Sequence, residues 1–282
     1  MKNIRIVTDS TVDLPDEELQ KYQIEIVPLS VTIEGKSYLD RIDLSAKEYV
    51  QKLKQADELP KTSQPPVGAF VERYEKLATE GYDIISIHMT SGMSGTYESA
   101  RNASELADAN VTVVDSKFIS VALSFQVIAA AKMAQEGRSK EEILTFLDKV
   151  RENTSLFIMV DTLEYLAKGG RLGRGQALIG SLLKIKPVAS LADGVYTPVA
   201  KVRTHSQVIK FISEQYEEAT KGKEVLRIGI AHVEAEPLAD KVIQALTDIN
   251  PCNDVIKVDT TPVISTHTGP GAIAVMYYTN PN

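Results

Sequence analysis

Apolar positions along the first half of the chain follow two periods, which together predict alternating strands and helices. Short runs typical of strands cover residues 4–8, 24–33, 82–89 and 111–116. Between these runs, apolar residues recur at helical spacing, as Phe70, Tyr74 and Leu77 do. Asp13 is expected to cap a short helix that begins near Pro15. Strands that alternate with helices predict a mostly parallel sheet covered on both faces.

The pattern changes near residue 160. Residues 162–185 predict two short helices around a glycine-rich turn, and residues 187–202 predict a hairpin with Asp193 and Gly194 at its turn. Helices over 206–219 and 237–248 and strands over 226–233, 255–259 and 272–278 complete the chain. A chain of 282 residues is long for one core. We therefore predict two α/β domains: residues 1–160, with a mostly parallel sheet flanked by helices, and residues 161–282, with a mixed sheet.

Composition narrows the classes of function. The formal net charge is −7, from 31 Lys and Arg against 38 Asp and Glu, which argues against a broad nucleic-acid-binding surface. The single cysteine, Cys252, cannot form an internal disulfide, so a cytosolic protein is expected. The N-terminus lacks the apolar region of a signal peptide. The sequence contains no run of about 18 apolar residues, so no membrane-spanning helix is predicted.

The loop TSGMSGT, residues 90–96, lies between a predicted strand and a predicted helix. The amides of a helix N-terminus, together with the hydroxyls of Ser94 and Thr96, favour an oxyanion at this place. Ser94 acting only as a helix cap explains the same residues equally well. The nucleophile elbow of serine hydrolases requires a glycine where Thr96 stands, and the chain has no P-loop motif.

Two further loops share features of ligand sites. Thr62 precedes a helix that begins near Pro66, so its hydroxyl is either a plain cap or another anion donor. Residues 269–271, Gly-Pro-Gly, predict a rigid and side-chain-poor approach to the last strand, and His267 lies at its edge. The four histidines lack the spacing of a metal site, so we expect neither a metal nor a cofactor.

Six motifs occur along the chain in one order, and together they resemble the DegV family over essentially the whole sequence. They are TDST (8–11), TSQPP (62–66), SGTYESA (94–100), VVDS (113–116), KGGR (168–171) and HTGPG (267–271). The resemblance implies two α/β domains that hold a long-chain fatty acid between them. Some members are lipid-binding subunits of a bacterial fatty acid kinase, whose kinase subunit phosphorylates the acyl carboxylate.

The resemblance also implies a set of residues around the carboxylate. The positions that match the family motifs are Thr62, Ser94, Gly95 and His267, and Arg203 stands where members often carry a basic residue. Pro66 stands where many relatives have Ser or Thr.

The helix predicted over residues 117–137 is too apolar for a one-sided surface helix, so it is a core helix, a wall of the acyl tunnel, or both. The candidate tail contacts are Ile119, Ala122, Phe125 and Ala129.

Lys168, Arg171 and Arg174 lie close together in the sequence of an acidic chain. They form either a solvated turn with glycine caps or a docking patch for a kinase subunit.

The residues by themselves predict an oxyanion at converging helix N-termini, and the resemblance to the DegV family implies a cytoplasmic lipid-binding protein that is not an enzyme by itself. We expect it to bind a long-chain fatty acid such as palmitate and to present the carboxylate to a fatty acid kinase subunit of the dihydroxyacetone-kinase type. No nucleic-acid partner is expected, and membrane contact would be transient, for lipid exchange. Two alternatives stay open: an acyl hydrolase built on Ser94 and His267, and a protein that binds a small anion such as a sugar phosphate.

Overall fold

The computed structural model describes residues 3–181 and 185–281, which form alternating strands and helices. The strands are β1 Ile4–Asp9, β2 Glu25–Val27, β3 Ser30–Ile33, β4 Lys36–Leu39, β5 Lys61–Ser63, β6 Asp83–His88, β7 Val111–Asp115, β8 Thr154–Met159, β9 Lys186–Ala192, β10 Val195–Val202, β11 Val225–His232, β12 Val255–Asp259 and β13 Ile273–Thr279. The α-helices are α1 Asp16–Lys21, α2 Ala46–Gln55, α3 Val67–Thr79, α4 Thr96–Leu106, α5 Ser120–Gln135, α6 Lys140–Glu152, α7 Glu164–Lys168, α8 His205–Thr220, α9 Glu236–Ile249 and α10 Pro262–Thr268. Ser10–Val12 and Gly173–Ser181 are 3₁₀ segments.

The first sheet is parallel, as the strand and helix pattern predicts. Its strand order is β2-β1-β6-β7. Helices α3 and α4 cover one face, where Phe70 and Tyr74 pack with Val7 and Ile84. Both faces of such a sheet are covered, which explains why its strands are short apolar runs rather than strictly alternating ones.

A small antiparallel sheet, with the order β4-β3-β5, was not predicted. Its strand β5 has only three residues and includes Thr62, which pairs with Val31 of β3. The sequence pattern suggested a loop at Thr62 because three residues are too few to show a period. The pairing fixes the backbone of Thr62 instead of leaving it in a flexible connection.

The second sheet is mixed and has six strands in the order β10-β9-β8-β13-β11-β12. The hairpin β9–β10 turns at Asp193 and Gly194, which both have positive φ, as the sequence predicts. Strand β8 pairs with β13 and β9, so the second sheet already begins at Thr154. The division of the chain at residue 160 stays a prediction, and the change from one sheet to the other precedes it. Of the helical stretch expected in residues 162–185, residues 182–184 lie outside the described residues.

Helix α5 lies between the two sheets. It contacts β1 and β6 of the first sheet and β8, β11 and β13 of the second. Eleven of its sixteen residues are buried, which explains why it is apolar on nearly every face. Helices α8 and α9 pack on the other face of the second sheet, around Phe157, Val208 and Val242.

Two local predictions near the ends of the chain were wrong. Asp13 does not cap α1, because its backbone is left-handed and its carboxylate accepts hydrogen bonds from Ser120, Thr260 and Thr261. Helix α10 occupies part of the stretch that was predicted to be a glycine-rich loop. Its seven residues are rich in Thr, Ser and Val, which favour helices only weakly, so propensity gave no helical signal.

We expect Gly229→Ala to lower the free energy of unfolding by about 1–3 kcal/mol, because a Cβ at Gly229 would overlap Val121 of α5. Gly68→Ala in α3 is the matched control: a Cβ there meets open space, and alanine should raise the stability by up to about 1 kcal/mol. Urea unfolding followed by circular dichroism measures both. Equal effects of the two substitutions would contradict the close packing of α5 on β11.

Candidate functional site

A cavity of about 300 Å³ lies where the small sheet, the loop after β6, the start of α5 and helices α7 and α10 meet. Its polar lining residues are Thr62, Ser63, Gln64, Ser94, Arg171, His267 and Thr268. Its apolar lining residues are Leu29, Met89, Met93, Ile119, Ile158, Leu166, Val263 and Ile264, with the buried ring of Tyr196. The lining therefore combines a cluster of hydrogen-bonding groups with an apolar wall drawn from both halves of the chain.

Thr62 and His267 join the two halves at this cavity. The Thr62 Oγ1 and His267 Nε2 atoms are 2.8 Å apart, although the residues are 205 positions apart in the chain. Burial, reinforced by the nearby positive charge of Arg171, lowers the pKa of His267 to about 4, so its imidazole is neutral at neutral pH. The buried Nδ1 atom of the same ring has no partner among the described residues.

The loop TSGMSGT carries Ser94 into the same cavity. The Ser94 Oγ atom lies 2.8 Å from Thr96 Oγ1 and accepts a hydrogen bond from the Thr96 amide at 3.2 Å, at the start of α4. Gly95 does not line the cavity, but it packs so closely on Gln64 that a Cβ there would overlap the Gln64 amide group. The loop that carries Ser94 therefore lies directly against Gln64, which follows the strand that carries Thr62, and a larger residue at Gly95 would displace the Gln64 side chain.

Of the residues that the structure describes, the basic one that lines the cavity is Arg171 and not Arg203. Arg171 donates to the carbonyl oxygens of Met93 at 3.1 Å and Gly169 at 2.7 Å, and it lines the cavity. Burial lowers the pKa of its guanidinium. Arg203 is exposed on the segment between β10 and α8, where its amide donates to Gln207. Arg203 is therefore not among the residues that line this cavity, and its contact with a ligand stays a prediction.

The three predicted docking residues therefore separate. Arg171 turns inward after the turn at Gly169 and Gly170, whereas Lys168 and Arg174 stay exposed. Lys168 pairs with Glu164 at 2.6 Å, and Arg174 pairs with Asp193 at 3.2 Å. These surface pairs neutralise much of the positive charge that the sequence suggested.

Only one of the four predicted tail contacts lines this cavity. Ile119, just before α5, does so, and Ala122 is fully buried in the core. Phe125 and Ala129 line a different cavity of about 610 Å³ near the C-terminal end of α5. Because a helix advances 1.5 Å per residue, only its first turn can reach a cavity at its N-terminal end.

The predicted glycine-rich approach also has a different role. Gly269 and Gly271 have positive φ, and a Cβ at either would overlap Tyr165 or Asp161, so the glycines approach other parts of the protein and not the cavity. Ile158 and Tyr196 line the cavity from the second sheet and were missed. In the sequence, both residues show only the ordinary alternation of a strand, and this pattern is the same for a residue in a cavity wall and for one in a fully packed core.

A second buried network, also missed, lies beneath the loop that carries Ser94. His88 Nδ1 is 3.1 Å from Asp9, and its Nε2 is 2.6 Å from Ser86, which accepts a hydrogen bond from Tyr74. Asp9, Ser86 and His88 resemble a hydrolase triad in their contacts, but all three are fully buried. Asp9 also accepts from the Met89 amide at 2.9 Å, so the network holds the end of β6 in place.

Within residues 3–181 and 185–281, no group of three or more His, Cys, Asp or Glu side chains is arranged to hold a metal ion. Over the same residues, no helix combines the length and apolar character needed to cross a membrane.

Comparison with known proteins identifies the family. The family model described as "Uncharacterised protein, DegV family" matches residues 3–280. A DegV domain-containing protein of Staphylococcus aureus is 43% identical over 271 residues, covering 96% of this chain and 97% of its own. One from Listeria innocua is 42% identical over 281 residues, covering 99% and 100%. The chain therefore belongs to the DegV family.

Solved structures agree with this assignment. A DegV family protein of Thermus thermophilus, described as binding fatty acid, superimposes with a TM-score of 0.94 at 31% identity, covering 99% of this chain and all of its own. DegV of Bacillus subtilis, described as a fatty acid binding protein, has a TM-score of 0.90 at 36% identity with the same coverage. A stearic-acid-binding protein of Eubacterium ventriosum has a TM-score of 0.85 at 26% identity, with 98% of each chain covered. The α/β fold with a parallel and a mixed sheet is thereby confirmed.

We expect the His267 imidazole to stay neutral from pH 8 down to about pH 5, because its pKa is lowered to about 4. Since the imidazole of the unfolded chain takes up a proton near pH 6.5, this residue should cost stability as the pH falls from 6.5 toward 4. Ring nitrogen chemical shifts, assigned with a His267→Gln variant, measure the titration. The denatured protein is the control, and protonation near pH 6.5 in the folded protein would contradict the buried site.

Proposed function

We propose that this protein binds a long-chain fatty acid in the cavity, with the carboxylate at Thr62, Ser94, Arg171 and His267 and the tail along the apolar wall. The observation that carries this proposal is the division of one cavity lining into a polar cluster and an apolar wall. A small anion such as a sugar phosphate needs the polar cluster but not the apolar wall. The descriptions of the similar Thermus thermophilus and Bacillus subtilis proteins support the same ligand class.

The tail accounts for most of the gross binding energy. A palmitate-sized tail has about fourteen methylenes, each worth about 0.8 kcal/mol when buried, so the gross term is about 11 kcal/mol. Ordering the chain and losing translational freedom offset several kcal/mol of this. The tail must therefore be almost fully enclosed, which the position of Ile119 and Ile158 between the two sheets favours.

The head group needs donors, because an unpaired buried carboxylate is costly. A neutral His267 with its proton on Nε2 donates to Thr62 Oγ1 and leaves the Thr62 hydroxyl hydrogen for the ligand. The Ser94 hydroxyl, which now contacts Thr96, supplies a second donor. Arg171 adds a positive charge beside them, and its bonds to two backbone carbonyls hold the guanidinium in position.

The geometry favours a carrier over a serine hydrolase. Hydrolysis by Ser94 and His267 requires a hydrogen bond from the nucleophile to the base. Ser94 instead contacts Thr96, and His267 contacts Thr62. With a pKa of about 4, His267 is also a poor general base at neutral pH. A fluorophosphonate probe should therefore leave Ser94 unlabelled, whereas labelling would support the hydrolase.

The finer role we propose is that of a non-catalytic, cytoplasmic subunit that presents the acyl carboxylate to a fatty acid kinase. The support is the family resemblance, together with a head-group site that binds the acid mainly through hydroxyl donors. Such donors leave one carboxylate oxygen free to attack a phosphoryl group. The half-buried thiol of Cys252 has no cysteine partner in the chain, in keeping with a reducing compartment. Contact with membranes would be transient, during lipid exchange.

We expect the protein purified from a bacterial host to carry a fatty acid of about 16 to 18 carbons, because the tail term requires a long chain. Ser94→Ala and Thr62→Ala should each weaken fatty acid binding about 10- to 150-fold, the equivalent of one lost charge-assisted hydrogen bond of about 1.5–3 kcal/mol. Native mass spectrometry and titration with a fluorescent fatty acid measure both. Ser104→Ala, at a partly exposed position in α4 that does not line the cavity, is the matched control. A protein that binds inorganic phosphate but no fatty acid would refute the proposal.

We expect the double variant Lys168→Glu, Arg174→Glu to reduce acyl-phosphate formation with a fatty acid kinase subunit at least several-fold without changing fatty acid binding. The reason is that both side chains are exposed next to the cavity-lining Arg171, where a partner must approach. The control is Lys210→Glu in α8, which reverses an exposed lysine elsewhere. Full coupling in the double variant would place the docking surface on another face.

A further inference from the structure

A buried polar cluster joins the two halves of the chain at the start of helix α10. This helix follows strand β12 of the second sheet, yet it packs on α2, β3 and β5 of the first half. It carries Val263, Ile264 and His267 into the cavity wall. The position of α10 against the first half of the chain therefore determines where the His267 imidazole lies relative to Thr62.

Asp13 provides the first set of contacts to α10 and its leading residues. It is 4% exposed. Its Oδ1 atom accepts from the Thr261 amide at 3.0 Å, and its Oδ2 atom accepts from Thr260 Oγ1 at 2.6 Å and from Ser120 Oγ at 2.5 Å. One carboxylate thus joins the residues before α10 to the start of α5.

Asp40 provides the second set of contacts. It is 2% exposed, and its Oδ1 atom accepts from the Val263 amide at 3.2 Å, in the first turn of α10. The Oδ2 atom of Asp40 is buried without a partner among the described residues, and so is the Thr261 hydroxyl oxygen.

We propose that Asp13 and Asp40 are positioning residues for the fatty acid site: together they hold α10, and with it His267 and Ile264, against the first half of the chain. The inference rests on the proposed function, because it assigns the pair a part in retaining the ligand. Neither carboxylate lines the cavity itself. They act through α10, whose first amides they bind.

The ionisation of Asp40 makes this arrangement sensitive to pH. Burial raises the pKa of Asp40 to about 7, and the negative charge of Asp13 adds to the rise, while Ser10, Val263 and Arg41 oppose it. Burial also raises the pKa of Asp13. The other titratable group facing Asp40 is Tyr49, whose hydroxyl lies 2.6 Å from Thr266 Oγ1 of α10. Arg41 is partly engaged elsewhere, since it donates to Leu14 and Asp16.

The sign of the effect follows from linkage. The pKa of Asp40 in the folded protein lies above its ordinary 3.8, so the stabilisation from its neutral form is complete below 3.8 and is lost as the pH rises through about 7. Above that pH, a charged oxygen without a partner is buried at the junction with α10. The attachment of α10 should then loosen, and the ligand should leave faster.

The decisive experiment measures the dissociation rate of a fluorescent long-chain fatty acid between pH 6 and pH 8. In the natural protein the rate should rise about three- to tenfold, which is well within the limit of about tenfold per pH unit that one coupled proton sets. Asp40→Asn, which mimics the neutral acid, should keep the slow rate of pH 6 throughout. Asp40→Ala, which lacks the acceptor for Val263, should be fast throughout. Asp254→Asn is the control, because Asp254 is exposed, pairs with Arg227 and does not line the cavity.

Two results would overturn the inference while leaving fatty acid binding intact. One is a rate that rises with pH in Asp40→Asn as it does in the natural protein. The other is slow release from a folded Asp40→Ala protein at pH 6. Hydrogen exchange of the α10 amides, measured in lipid-free protein and corrected for intrinsic exchange rates, tests the same attachment without a ligand. The protection of these amides should fall above pH 7 in the natural protein and should not fall in Asp40→Asn. If no fatty acid binds, the proposed function fails, and exchange alone decides whether the pair holds α10.

Discussion

The enclosure of helix α5 between two sheets is the constraint on which the rest of the structure depends. Because the helix is apolar on nearly all sides, it is stable only if both faces are covered, which holds the first sheet and the second sheet at a fixed separation. The start of the helix then lies at the junction of the two halves. Ile119 enters the cavity there, and Ser120 donates to Asp13. A cavity forms at this end because the loops that meet over it do not fill the space.

The polar end of the cavity combines groups that are weak donors individually with one fixed positive charge. Burial keeps His267 neutral, so it orients the Thr62 hydroxyl rather than competing with Arg171 for the negative charge of a ligand. Two buried acid clusters support this arrangement from behind: Asp9 holds the end of β6, and the pair of Asp13 and Asp40 holds α10. The proposed lipid site therefore depends on polar contacts made outside the cavity as much as on the residues that line it.

Sequence periodicity predicted the elements that bury long apolar stripes, including both main sheets, α5 and the hairpin at Asp193. It missed short elements such as β5 and α10, whose conformation comes from tertiary contacts and not from local propensity. Motif resemblance located Thr62, Ser94 and His267, which the structure brings to one cavity. It did not place Arg171 at the cavity, and neither Arg203 nor three of the predicted tail contacts line the cavity. The direction of a side chain after a turn and the reach of a helix into a void depend on the assembled fold.

The most direct test of the central claim is a crystal structure with a long-chain fatty acid that carries bromine at its terminal carbon. Anomalous scattering would locate the far end of the chain independently of the head group. We expect a carboxylate oxygen at about 2.5–3.2 Å from the hydroxyls of Thr62 and Ser94, and the bromine beside the apolar wall that includes Ile119 and Ile158. A carboxylate bound elsewhere, or a bromine on the protein surface, would contradict it.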